Sequence, residues 1–211
     1  MLRIYYADIQ LLPTEIGTVP ISDYRKRQLE HIDNPLKRRQ AFGAELLLME
    51  ALKEKYPEIT FPVRVSESDQ GKPYLADLPE QFNLSHSGSY SACVLADVPI
   101  GLDIQLDRAY HPGISSRCFT AEEKKVLEGA PSKDYAFSML WSLKESYLKA
   151  MGCGLRRSMQ SFSIEFDIAS DHASCDGARF WHIYEDKCHF SLCVLGEQEI
   201  KKVELKKIKL L

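Results

Sequence analysis

The sequence predicts an α+β fold built as two similar halves, and three observations carry this. The 211 residues leave room for two halves of about 100 residues each. The order of patterns runs strand, helices, strands, and then helices and strands again. A short internal match repeats one hundred residues apart: "SACVLAD" starts at Ser91 and "SLCVLGE" at Ser191. At the same offset Glu45 meets Glu145 and Leu48 meets Leu148, which suggests a duplication. The seam is expected near Pro99 to Asp103, dividing the chain into 1–101 and 102–211.

Alternation predicts a strand over residues 2–9. Helices are expected over 22–31 and 35–56, the second a strong helix-forming stretch that stops at Pro57. "GKP" at 71–73 signals a turn. Two strands, "FNLSHSG" at 82–88 and "YSACVLAD" at 90–97, are joined tightly, and "IGLDIQ" at 100–105 is a further strand. After a Pro- and Gly-rich loop, Thr120 and Glu123 form a capping box that starts a helix over 120–127. A long helix is expected over 133–151, ended by the glycines of "GCG" at 152–154. Three strand-like runs and a Lys-rich tail, strand or helix, complete the chain.

Composition excludes several classes. Hydrophobic residues at 45% and charged residues at 27% suit a globular core. A net charge of −3 argues against a general nucleic-acid binder. No apolar run is long enough for a membrane span, and the start does not read as a signal peptide. Six cysteines without a CxxC pair read as reduced thiols of a cytoplasmic protein. Cys175, His182, Cys188 and His189 have the residue types of a zinc site but not its spacing.

The chemistry concentrates in "IGLDIQ" and "WSLKESYLKA". Alternation puts Asp103 and Gln105 on one strand face, and Gly101 allows something to approach closely. One carboxylate and one amide oxygen suit a hard cation, although a solvated strand face explains the same pattern more simply. Glu145 and Lys149, four residues apart, share a helix face among bulky apolar neighbours. An ordinary surface ion pair is one explanation. A divalent cation held by Asp103 and Glu145, with Lys149 turned to its anion, is another. Magnesium takes a few carboxylates together with phosphates and waters, so the anion would be a phosphate or diphosphate. Arg25, Lys26, Arg27, Lys37, Arg38 and Arg39, with Lys72 and His86, supply basic groups. Each alone is read as well as a solvated face or a satisfied strand histidine. No Walker A loop or GxGxxG is present. A serine hydrolase built on Ser85 or Ser87 with His86 is disfavoured, because neighbours on a strand point to opposite faces and no GxSxG elbow exists.

"GKPYL", "FNLSHSG", "IGLDIQ", "FTAEE" and "WSLKESYLKAMGCGL", in this order, resemble the 4′-phosphopantetheinyl transferases of the surfactin-synthetase-activating type. The residues of the core pattern are Gly101, Asp103, Trp141, Lys144, Glu145 and Lys149, and the likeness spans about residues 20 to 195. The resemblance implies a pseudo-dimer of two α/β halves with the active site at their interface. It implies transfer of the phosphopantetheine arm of coenzyme A to a serine of an apo acyl or peptidyl carrier protein, releasing adenosine 3′,5′-bisphosphate. It further implies a Mg²⁺ ion on Asp103, Glu145 and Gln105, with Lys149 on the attacked phosphate and Glu145 helping to deprotonate the serine. Arg39, His86 and Arg25 would contact phosphates, Ser85 the diphosphate, and Gly71, Lys72 and Pro73 the adenine. Many relatives carry Glu at the place of Gln105, so a weaker hold on Mg²⁺ is expected. A fused pseudo-dimer is expected to work as a monomer, with no nucleic-acid or membrane partner. A Mg²⁺-dependent nucleotide phosphohydrolase and a non-catalytic carrier binder stand as alternatives. Carrier docking is expected around Phe119 and Leu127.

Overall fold

The computed structural model describes the chain except Ile16, Asp171, Asp176, Gln198, Glu199, Leu211 and the side chain of Leu155. It divides into two compact units, Met1–Val98 with Ile200–Leu211, and Pro99–Glu199. The division by sequence at 101/102 therefore needs two corrections. The boundary falls before Pro99, because β6 (Ile100–Leu106) pairs along its length with β10 (Cys188–Leu195) of the second unit. The tail returns to the first unit, because β11 (Val203–Lys207) pairs in parallel with β1 (Leu2–Asp8).

In the first unit four strands pair in the order β11-β1-β5-β4, with β4 at Gln81–Ser87 and β5 at Tyr90–Ala96. Helix α1 (Asp23–Glu30) is capped by Ser22, whose side chain accepts from the Arg25 backbone N–H. Helix α2 (Pro35–Lys55) is capped by Asn34, with Pro35 in the first turn, where a missing N–H costs nothing. Every residue of α2 from Gln40 to Met49 is buried, so no polar stripe remains on that stretch. Leu47, Leu48 and Leu52 pack with Tyr5, Phe82 and Cys93, and Phe42 and Met49 with Ile9, Ile21 and Leu29. A small hairpin, β2 (Val65–Glu67) and β3 (Pro73–Leu75), turns at Gly71, which takes φ +85°, as the "GKP" signal requires.

The second unit holds a five-stranded sheet in the order β6-β10-β9-β8-β7, with β7 at Glu165–Phe166, β8 at His172–Cys175 and β9 at Ala178–Glu185. The Pro- and Gly-rich loop contains a short helix, α3 (Pro112–Cys118). Helix α4 (Ala121–Gly129) starts at the complete Thr120–Glu123 capping box. Helix α5 (Lys133–Met151) begins at Ser132 and ends at Gly152, which takes φ 71° in the left-handed region. Phe119 and Leu127 are 0% and 2% exposed and pack with Phe137 and Leu140. They are core residues, so they cannot form the docking surface expected of them.

Candidate functional site

Helix α5 lies on the β6-β10 face of its sheet because Gly101 removes the obstacle. A Cβ at Gly101 would be driven into the backbone of Ser146 and Ala150. Farther along, Ser142 Oγ and Ser191 Oγ share a hydrogen bond of 2.6 Å, and Ser138 Oγ accepts from the Arg108 backbone N–H at 3.1 Å. The helix therefore runs antiparallel to β6, its first turns over the end of the strand and its last over the start.

This register brings three of the residues singled out by sequence together. Asp103, 6% exposed, receives Lys149 Nζ at 2.6 Å on Oδ1. Glu145 is half-buried on the same helix, and its carboxylate has no hydrogen-bond or ion-pair partner among the described residues. Burial, and then the negative charge of Asp103, push its pKa up; Lys149 partly offsets this. Gln105 Nε2 donates to Leu106 O at 2.9 Å, and no donor of a described residue reaches its Oε1.

Two carboxylates that repel each other, with a spare amide oxygen on the strand, form a donor set that a Mg²⁺ ion would relieve. Such an ion takes one or two carboxylates and completes its shell with water and phosphate. The residues therefore fit that ion. Among the described residues no group of three or more His, Cys, Asp or Glu side chains could hold a metal, so the zinc pattern weighed from sequence has no counterpart.

Lys144 plays a different part from its neighbours. It is fully buried, paired with Glu123 Oε1 at 2.9 Å, and donates to Met159 O at 2.6 Å and Phe162 O at 2.8 Å. Glu123 also accepts from the Ile164 and Thr120 backbone N–H groups. Burial lowers the Lys144 pKa, against the pull of Glu123. This ion pair ties the α4 start and the segment Met159–Ile164 to the residue just before Glu145. The capping box revealed Glu123 in the sequence, but its tertiary partner was not legible there.

The first unit holds the remaining candidates, each described within that unit. Arg39 is half-buried, gives Nε to Leu12 O at 2.8 Å, and has no carboxylate partner among the described residues. Arg25 is instead committed to the fold. It is 7% exposed, with Nε 3.4 Å from Glu45 Oε2 and Nη1 on Gln28. Ser85 is buried and His86 exposed on β4; Gly71, Lys72 and Pro73 form the exposed to half-buried hairpin turn.

Residues 99–200 match the family model described as the 4′-phosphopantetheinyl transferase superfamily. The chain is 32% identical over 143 residues to the 4′-phosphopantetheinyl transferase Sfp of Bacillus subtilis (strain 168), covering 62% of this chain and 63% of that protein. It is 36% identical over 124 residues to the 4′-phosphopantetheinyl transferase ffp of Bacillus subtilis, covering 57% and 55%. To the crystal structure of Thermotoga maritima holo-[acyl-carrier-protein] synthase the TM-score is 0.42 at 18% identity, covering 48% of this chain and 64% of that one. Over residues 99–200 the chain is therefore similar to the 4′-phosphopantetheinyl transferase superfamily. It spans 55% to 63% of the length of these two curated relatives.

Proposed function

We propose that the protein transfers the 4′-phosphopantetheine group of coenzyme A to a serine of an apo acyl or peptidyl carrier protein. The observation that carries this reading is the half-buried Glu145, without a hydrogen-bond or ion-pair partner among the described residues, beside the Asp103–Lys149 pair in the stretch that matches the family model. Relatives named 4′-phosphopantetheinyl transferases support the chemistry.

Asp103 and Glu145, with Gln105 Oε1, would hold Mg²⁺; when bound, the ion would neutralise charge on the coenzyme A diphosphate. Lys149 hydrogen-bonds Asp103 and serves as a second positive group for the phosphate that is attacked. The carrier serine oxygen forms a bond to the phosphopantetheine phosphorus. The bond from that phosphorus to the oxygen of adenosine 3′,5′-bisphosphate breaks, and the electron pair leaves with the bisphosphate. The serine proton passes to the Glu145 carboxylate, directly or through water. Arg39, unpaired with any carboxylate among the described residues, is assigned to a coenzyme A phosphate, with Ser85, His86 and the Gly71–Pro73 turn as further nucleotide contacts. Arg25 is left out, since Glu45 engages it. Six free thiols suit a reducing compartment, and the protein is read as a cytoplasmic monomer.

The test is mass spectrometry of several apo-carriers incubated with coenzyme A, Mg²⁺ and the protein. A phosphopantetheine adduct on the carrier serine is expected, absent without Mg²⁺. Bisphosphate release with no adduct on any carrier would contradict the reading.

A further inference from the structure

One polar cluster in the second unit, buried at its two histidines and exposed at Asp107 and Tyr184, lies outside the proposed chemistry. Tyr184 OH donates to Asp107 Oδ2 at 2.6 Å, His189 Nε2 lies 2.9 Å from Asp107 Oδ1, and His182 Nε2 lies 2.9 Å from His189 Nδ1. The carboxylate fixes the tautomers. His189 carries its proton on Nε2 toward Asp107, so its Nδ1 accepts, and His182 must donate from Nε2. The two imidazoles are 0% and 3% exposed. Tyr135, in the first turns of α5, packs on both, with ring centroids 4.7 Å from His189 and 6.3 Å from His182. It also meets Tyr184 edge-on at 4.9 Å.

The place of this cluster gives it a use. Strand register pairs His189 with Gln105, Ser191 with Asp103, Tyr184 with His189 and His182 with Ser191. Directly paired residues share a sheet face, so the whole cluster lies on the α5 face together with Asp103 and Gln105. Helix α5 is thus held against the sheet at two ends. At the β6 start, Gly101 lets the backbone of Ser146 and Ala150 seat directly. At the β6 end, Tyr135 seats on the histidine pair, and Asp107 of the segment after β6 closes the chain of bonds. Glu145 and Asp103 lie between these anchors. Ser142 on Ser191 and Ser138 on the Arg108 backbone also hold the helix; without the histidine pair under Tyr135 its first turns could still shift, and the spacing of the two carboxylates with them. A network of satisfied polar groups favours one arrangement where an apolar contact would tolerate several.

We infer that Asp107, His182, His189 and Tyr135 form a positioning network that sets the register of α5 on β6, and thereby the spacing of Glu145 and Asp103 for a divalent cation. This rests on the reading of those two carboxylates as a cation site. None of the four residues needs to touch the cation or the substrate.

The experiment measures Mn²⁺ binding by electron paramagnetic resonance, with coenzyme A present, for the whole chain and four variants. Tyr135→Ala and His189→Gln are expected to weaken Mn²⁺ binding roughly tenfold, the range seen when groups that orient metal ligands are removed. Leu127→Ala, which thins the core between α4 and α5 without touching the histidine pair, is expected to lower the melting temperature yet change Mn²⁺ affinity by less than about twofold. Thermal melts choose a temperature at which all variants are folded. Unchanged Mn²⁺ affinity in Tyr135→Ala and His189→Gln would overturn the inference, as would equal weakening in Leu127→Ala. Asp103→Asn separates the two levels: unaltered Mn²⁺ binding in that variant would remove the cation site itself.

Discussion

The two units share a pattern of strands and differ in what it carries. In the first, β1 pairs antiparallel with β5 and β5 with β4; in the second, β6 pairs with β10 and β10 with β9 in the same way. Aligning Val94 with Val194 places Ile4 on Ile100, Tyr5 on Gly101 and Ala7 on Asp103, since each meets the matching residue of its neighbour strand. The first unit therefore has a large ring where the second has the glycine that seats a helix, and a methyl where the second has the aspartate. On the helices, the hundred-residue offset sets Glu45 against Glu145 and Met49 against Lys149. Glu45 is 2% exposed and fully engaged, by the Ser22 backbone N–H at 2.9 Å and by Arg25. Glu145 is half-buried, with its carboxylate unengaged among the described residues. A glutamate at the same place in a helix is thus a structural group where the fold supplies its partners, and is open to a ligand where the described residues supply none.

The comparison breaks most completely at Gly101. Gly101→Ala would push α5 off β6, because the new methyl meets backbone and not a flexible side-chain tip. Loss of soluble folded protein or of all transfer is expected, whereas Tyr5→Phe in the first unit should keep both. Circular dichroism and the carrier assay decide this, and a fully active Gly101→Ala enzyme would refute the proposed seating.

Lys144→Met comes next. It strands Glu123 in the core without its cation, and breaking a buried pair from one side costs about 3–5 kcal/mol. Urea unfolding should show a loss of that order, and a loss below about 1 kcal/mol would mean that solvent reaches the pair.

The histidine pair predicts an acid dependence. Burial is the first cause of both lowered pKa values, to about 3 for His182 and about 4 for His189, against 6.5 for an exposed imidazole. The folded protein keeps both neutral where the unfolded chain is already protonated. Stability is therefore lost as pH falls below about 6.5 and continues to fall toward 4, by at most about 1.4 kcal/mol per pH unit for each histidine. The urea midpoint at pH 5 should lie below that at pH 7.5, and His182→Gln should flatten the difference. Glu145 has the opposite sign: its raised pKa means that ionisation costs stability as pH rises, so Glu145→Gln should melt higher than the parent at neutral pH without metal.

The smallest effect is expected at Gln105. Gln105→Glu adds a third negative charge beside Asp103 and should lower the Mg²⁺ concentration for half-maximal transfer several-fold. An unchanged requirement would remove Gln105 from the cation site.

Much of this arrangement was legible in the sequence wherever a local rule determines it. The end of helix α5 was marked by Gly152 and the start of α4 by its capping box, while the Ser132 cap of α5 went unread. The strand and helix spacing already put Asp103 and Gln105 on one face and Glu145 and Lys149 on another. What escaped depends on contacts between distant residues. The return of β11 to β1, the closure of Glu123 on Lys144 and the Asp107–His189–His182 chain each join residues at least seven positions apart, where periodicity carries no signal. Arg25 looked available because its partner, Glu45, lies twenty residues away. Phe119 and Leu127 looked like surface residues for the same reason, since their burial depends on α5.

Glu145, whose carboxylate meets no partner among the described residues, is the glutamate proposed to carry the transfer, and Glu45, held by Ser22 and Arg25, is not. The direct measurement compares Glu145→Gln with Glu45→Gln in the apo-carrier mass assay, at a temperature where both are folded. Glu45→Gln is expected to modify the carrier at the parent rate for its folded fraction, although it melts lower, and Glu145→Gln is expected to give no adduct. An active Glu145→Gln enzyme, or a folded Glu45→Gln protein that has lost transfer, would contradict the account.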